Sequence, residues 1–203
     1  MIQIDPTNLR SLILAARDTL TAPRQGARAA LSLDLPRNAL WLLFAIVVVV
    51  SMVLAQAVTL LMPIPEGLTS EEASLLFSPV ALGLVQAMLL FLVTHGIDKI
   101  GRIFGGQGSF DGALAVMVWL QFIFICLQVI QLVFIIIMLP AIADIIGILA
   151  FALFFWLLAN FIAELHGFQS TGQVFVMIIV TLIALAFALT LVFTILGIGF
   201  GVN

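Results

Sequence analysis

Residues 39–61 read ALWLLFAIVVVVSMVLAQAVTLL, an unbroken run from Ala39 to Leu61 without one charged side chain. A helix needs roughly 20 apolar residues to cross a hydrocarbon core of about 30 Å, so this run reads as a membrane span. Four more runs of the same kind follow, at Pro79–Ile97, Ala113–Leu139, Ala141–Ala163 and Val174–Gly199. Helices are the expected form, because each satisfies its own backbone hydrogen bonds inside lipid. A membrane β-barrel would show shorter strands of alternating polarity, whereas these runs are apolar throughout. The third is the longest and is expected to tilt or to extend past the hydrocarbon.

The rest of the chain agrees. Of 203 residues, 64% are hydrophobic and 8% charged, with a mean hydropathy of +1.34. Soluble domains carry about 25% charged residues, so this composition excludes a cytosolic enzyme, a secreted disulfide scaffold and a disordered tail. Cys126 is the single cysteine, so no internal disulfide forms. A net charge of −3 gives no footprint for nucleic acid. The first run is too long for the core of a signal peptide and nothing suggests cleavage, so Met1 is expected to belong to the mature protein.

The breaks between runs carry turn chemistry. Pro63, Pro65 and Gly67 end the first run, and Glu71, Glu72 and Ser74 follow. Gly101, Gly105, Gly106 and Gly108 open the gap between the second and third, Leu139-Pro140 divides the third from the fourth, and a turn from Gly167 to Gly172 precedes the fifth. The fold expected is an all-α polytopic bundle of five spans over 39–203, preceded by an amphipathic cytoplasmic segment over 1–38.

The basic residues orient it. Arg10, Arg17, Arg24, Arg28 and Arg37 precede the first span, and Lys99 and Arg102 lie between the second and third. No lysine or arginine falls in the loops of the other side. The positive-inside rule therefore puts the N-terminus in the cytoplasm and, after five spans, Asn203 on the opposite side. In the first 38 residues, Pro6 and Thr7 suit a helix start, and Leu9, Leu12, Ile13, Ala16 and Leu20 recur at helical spacing. Arg10 and Arg17 border that stripe, as in a helix lying among lipid headgroups. A second piece begins near Pro23 with Arg24, Arg28, Leu31 and Leu33. The segment reads as an anchor for the bundle or as a docking surface for a soluble protein partner.

Between the second and third spans the chain reads Gly101-Arg102-Ile103-Phe104-Gly105-Gly106-Gln107-Gly108-Ser109-Phe110. No Gly-Lys-Ser or Gly-Lys-Thr ending and no preceding strand support a nucleotide cradle. Gly105 and Gly106 suit a turn with positive φ, Ser109 suits a helix N-cap with Asp111 near the positive helix end, and Phe104 and Phe110 suit the interface. This stretch, followed by Ala113-Leu114-Ala115-Val116, resembles the corresponding loop of bacterial Yip1-domain proteins. Glu164-Leu165-His166-Gly167-Phe168-Gln169-Ser170 is also similar to members from alphaproteobacteria. The resemblance covers roughly Pro23 to Gly199. It implies a five-span membrane protein, expected in the bacterial inner membrane, that works through partner or lipid contacts and uses no cofactor. The chain has no tyrosine, and Trp119 and Gln121 stand where eukaryotic members have Gly-Tyr and proline features. The association of those members with prenylated GTPases and vesicle transport is therefore not carried over.

Polar residues inside the membrane are costly and are the default place to seek function. Gln121, Gln128 and Gln131 share one face of the third span, either bonding to neighbouring helices or lining a polar path. His95 and Asp98 end the second span, and Asn160, Glu164 and His166 end the fourth. If those helices touch, two imidazoles and two carboxylates meet at one depth, a constellation able to hold a metal or a proton. The plain alternative is ordinary interface chemistry, with His95 donating to a carbonyl and Glu164 paired with Lys99 or Arg102. Asp144 is stabilised by its helix N-terminus, and Gly197, Gly199 and Gly201 permit close packing or mark fraying. No catalytic pair of nucleophile and base is present. A non-catalytic bundle acting in membrane organisation is the first reading; a small transporter or channel is the alternative.

Overall fold

A computed structural model describes residues 2, 4–61 and 78–195. Pro63, Pro65, Gly67, Glu71, Glu72 and Ser74 of the first loop, and Gly197, Gly199 and Gly201, lie outside the described residues. Among the described residues seven helices follow in order: α1 Leu9–Thr21, α2 Pro23–Leu31, α3 Arg37–Leu61, α4 Pro79–Ile103, α5 Phe110–Ile136, α6 Pro140–His166 and α7 Thr171–Ile195. No strand occurs among the described residues. Five of the helices, α3 to α7, are long and apolar enough to cross a membrane. At 25 to 27 residues each, and a rise of 1.5 Å per residue, they span about 40 Å, longer than the hydrocarbon.

The excess length lies largely at the end of the bundle that carries the two N-terminal helices. The second span was expected to stop at Ile97, but α4 continues to Ile103 and takes Asp98, Lys99, Gly101 and Arg102 onto the helix. Asp98 and Arg102 are four apart there and pair across one turn. Charged residues thus do not mark the end of the helix. At the N-terminus, α1 starts at Leu9 with Asn8 as its cap. The Asn8 side chain accepts hydrogen bonds from the Arg10 and Ser11 amides at 3.0 and 3.4 Å.

α5 is the hub. It packs against α3, α4 and α6, and α7 runs along α6. Leu114, Met117, Leu120 and Ile123 of α5 are buried, with Leu157 and Phe161 of α6. Outward faces stay apolar and open to lipid, as at Leu84, Ile148, Phe151, Ile183 and Phe187. Lipid tails are as apolar as leucine, so close packing holds such helices together. Gly83 illustrates this: a Cβ there would lie 2.6 Å from Sδ of Met52 on α3.

The two N-terminal helices are part of the same core. α2 packs on α5 and α6, and α1 packs on α5. Ala15, Ala16, Ala27 and Ala30 join the cluster built around Leu120 and Phe161. Small side chains let the α1–α2 hairpin lie close against the spans.

Candidate functional site

Two helix ends meet beside the α1–α2 hairpin and lock together. α4 ends in a Schellman turn: Gly106 N–H donates to Gly101 O at 2.9 Å and Gly105 N–H to Arg102 O at 3.0 Å. Gly105 takes the left-handed conformation at φ +86° that the motif needs. α6 ends the same way, with Gly167 at φ +73° and Phe168 N–H donating to Ala163 O at 2.8 Å. Ser109 then caps α5, its hydroxyl accepting from Gly112 N–H at 3.1 Å.

The last residue of α6, His166, fills the gap that the α4–α5 loop leaves open. It is 3% exposed. A Cβ on Gly101, Gly106 or Gly108 would overlap its ring. Of the two residues expected to supply positive φ, only Gly105 does so; Gly106 is glycine to make room. Gly108 N–H donates to His166 Nδ1 at 3.0 Å, and Nε2 lies 3.0 Å from Ile97 O. Since Nδ1 accepts, the ring hydrogen belongs on Nε2, which donates to Ile97 O. Gln107 N–H donates to His166 O at 3.3 Å, and Phe168 stacks on the ring at 5.7 Å.

The other groups of the sequence-derived cluster go elsewhere. Glu164 does not pair with Lys99 or Arg102; its carboxylate accepts from Arg28 Nε at 2.7 Å. That hydrogen bond, then the carboxylate charge, holds the Arg28 guanidinium above its ordinary pKa. Asp98 is buried and pairs with Arg102 and, at 3.5 Å, with Lys99. Asn160 donates to Trp156 O at 2.8 Å and accepts from the Thr171 hydroxyl at 3.2 Å. Arg24 extends the chain, donating to Thr171 Oγ1 at 3.3 Å and to the carbonyls of Phe168 and Gln169 at 2.8 and 3.2 Å. His95 stands between the rings of Phe91 and Phe110, with centroids 4.4 and 4.7 Å away. Its Nδ1 is buried without a hydrogen-bond partner, so it donates to no carbonyl from that atom. Among the described residues, no three His, Cys, Asp or Glu side chains are grouped to hold a metal ion.

The glutamine face divides too. Gln131 donates to Ala143 O of α6 at 3.2 Å, over the space left by Gly147. Gln128 keeps a buried Oε1 without a partner, and Gln121 is half-buried. At the opposite end of the bundle, Asp144 is exposed in the second turn of α6.

The junction therefore joins α4, the glycine loop, α6, α7 and the hairpin. A model of the Yip1 domain family matches residues 17–193, from within α1 to within α7. The chain belongs to the Yip1 family. No curated protein and no solved structure matches it. The Yip1 domain thus includes both halves of the junction, the glycine loop and the His166 turn, and α2 with its two arginines. Sequence reasoning missed Arg24 and Arg28 as partners of the α6–α7 turn. Only their placement among buried alanines hinted at it.

Proposed function

We propose that this Yip1-family membrane protein is a non-catalytic bundle that acts in membrane organisation through contacts of its cytoplasmic face. In this reading it resides in a bacterial inner membrane, with the N-terminus in the cytoplasm and the C-terminus opposite. Residues 1–38 form its cytoplasmic module and 39–203 the spanning one. The observation that carries the reading is the fate of the cytoplasmic polar groups. His166, Glu164, Asn160 and Arg24 are each engaged by another element of the chain. Such bonds stiffen a surface and tie these four side chains to structural partners.

What remains outward on that face is suited to contact. Phe104 and Ile103 are exposed beside the loop, and Gln25 is exposed on α2. Photo-crosslinkers at Phe104 and Gln25, used in native membranes, are expected to capture reproducible protein or lipid adducts. Recovery of no reproducible adduct from either position overturns the reading. A small transporter or channel is the second reading, supported by the unpartnered buried Oε1 of Gln128.

A further inference from the structure

α1 has two working faces, and the bundle uses only one. Ala15, Ala16 and Thr19 are buried against the spans. At about 100° per residue, Leu9, Ile13, Arg17, Arg10 and Leu14 fall within an outward arc of roughly 140°. Leu9 is 65% exposed, Ile13 49% and Leu14 41%. Arg10 is exposed among them, and Arg17 is exposed with Asp18 beside it at 2.9 Å. Leu9 and Ile13 form an apolar strip bordered along one side by Arg17 and Arg10, with Leu14 beyond them, and an apolar strip beside arginines is the pattern of a helix at a membrane surface.

The depth of α1 agrees. Trp119 Nε1 of α5 donates to Thr19 Oγ1 at 3.3 Å, inside the core. Asp111, paired with Arg37 at 2.8 Å, marks the charged belt on α5. Trp119 lies two turns further into the span, about 12 Å along the helix, although its side chain leans back toward the cytoplasm. The hydrogen bond therefore holds the C-terminal turn of α1 below the belt, at the level where headgroups meet acyl chains. The hairpin's other arginines are already occupied by Glu164 and the Phe168 carbonyl. Arg10 and Arg17 are the ones turned outward.

We propose that the outer face of α1 binds anionic phospholipid of the cytoplasmic leaflet, with Leu9 and Ile13 among the acyl chains and Arg10 and Arg17 on the phosphates. This rests on the reading of a cytoplasmic face that works by contact, and names the ligand of that face. Each arginine contributes roughly a fivefold preference for an anionic surface. Arg17 gives up part of its pairing with Asp18 to do so.

The test uses the full chain with Cys126→Ser and one fluorophore, at Ile13→Cys or at Gln25→Cys on the exposed side of α2. The protein is reconstituted in phosphatidylcholine with or without phosphatidylglycerol. The probe at 13 is expected to be quenched by spin-labelled acyl chains and shielded from aqueous iodide, and the probe at 25 to behave oppositely. The unlabelled double variant Arg10→Gln/Arg17→Gln is expected to retain many-fold less phosphatidylglycerol through purification. Iodide quenching at 13 equal to that at 25 overturns the proposal. So does unchanged lipid retention in the double variant, or a photo-crosslinker at 13 that captures protein and not lipid in native membranes. These outcomes leave the contacts of Phe104 and Gln25 untouched, so either claim can fail without the other.

Discussion

Gly108 and His166 are joined main chain to side chain: the Gly108 amide donates to the His166 Nδ1 at 3.0 Å, across 58 residues of sequence. The same ring donates through Nε2 to Ile97 O, so one imidazole bonds the last turns of α4 to the loop that follows them. Replacing His166 with Ala leaves the buried Gly108 amide unmatched, while Ile97 O keeps its place in the helical ladder of α4 and loses only its second bond. At about 1–3 kcal/mol for the unsatisfied amide and about 1 kcal/mol for the bond lost at Ile97, His166→Ala is expected to cost roughly 2–4 kcal/mol. Thermal unfolding in detergent measures the loss, and hydrogen exchange at Gly108 is expected to quicken. A midpoint and exchange rate like those of the native chain would contradict the role given to the ring.

Glycines of the same loop are there for different reasons, and substitution separates them. Gly106→Ala puts a methyl into the imidazole, an overpacking expected to cost about 1–3 kcal/mol. Gly105→Ala meets nothing within 4 Å but must hold φ near +86°, at a cost of about 1–2 kcal/mol. His166→Ala is expected to relieve the first penalty and leave the second unchanged. A double-mutant cycle checks this. Full additivity for Gly106→Ala with His166→Ala would show that the contact is not the reason for the glycine.

The Arg28–Glu164 pair is unequal in its exposure. The Arg28 side chain is 65% exposed and that of Glu164 14%. Removing the arginine strands a mostly buried carboxylate, whereas removing the carboxylate returns an exposed guanidinium to water. Arg28→Ala is expected to destabilise the hairpin more than Glu164→Gln does. Limited proteolysis within the α1–α2 hairpin reads the difference. Equal sensitivity in the two variants would contradict it.

On the opposite side, Met138 occupies a left-handed position at φ +62° after α5, where Leu139 N–H donates back to Phe134 O at 2.9 Å. Glycine is the residue suited to that place in a Schellman turn. Met138 is also 84% exposed, so little packing is lost with its side chain. Met138→Gly is expected to stabilise the protein by about 1 kcal/mol, seen as a higher unfolding midpoint. A lower midpoint would show that the methionine makes contacts that outweigh the strain.

The spans were legible in the sequence because charge-free runs of bilayer length have few other uses, and the helices begin or end within a few residues of those runs. Ser109 was legible as a cap for the same local reason. The junction was not. His166 bonds to the main chain of Ile97 and Gly108, and main-chain atoms leave no residue-type signature. Arg28 and Glu164 are separated by 136 positions, and nothing local distinguishes this pairing from one with Lys99 or Arg102. Gly105 and Gly106 were read as supplying a turn with positive φ, yet only Gly105 does so, while Gly101, Gly106 and Gly108 clear space for a ring. A missing side chain shows that room is needed and does not show for what.

Passage through the bundle is the point on which the two functional readings part. Purified protein in sealed vesicles, loaded with ions or small solutes, is expected to leak no faster than protein-free vesicles, because Gln131 bonds α5 to α6 and threonines of the spans bond back to their own helices. A saturable, solute-specific flux that Gln128→Leu abolishes would contradict that expectation and make the bundle a transporter.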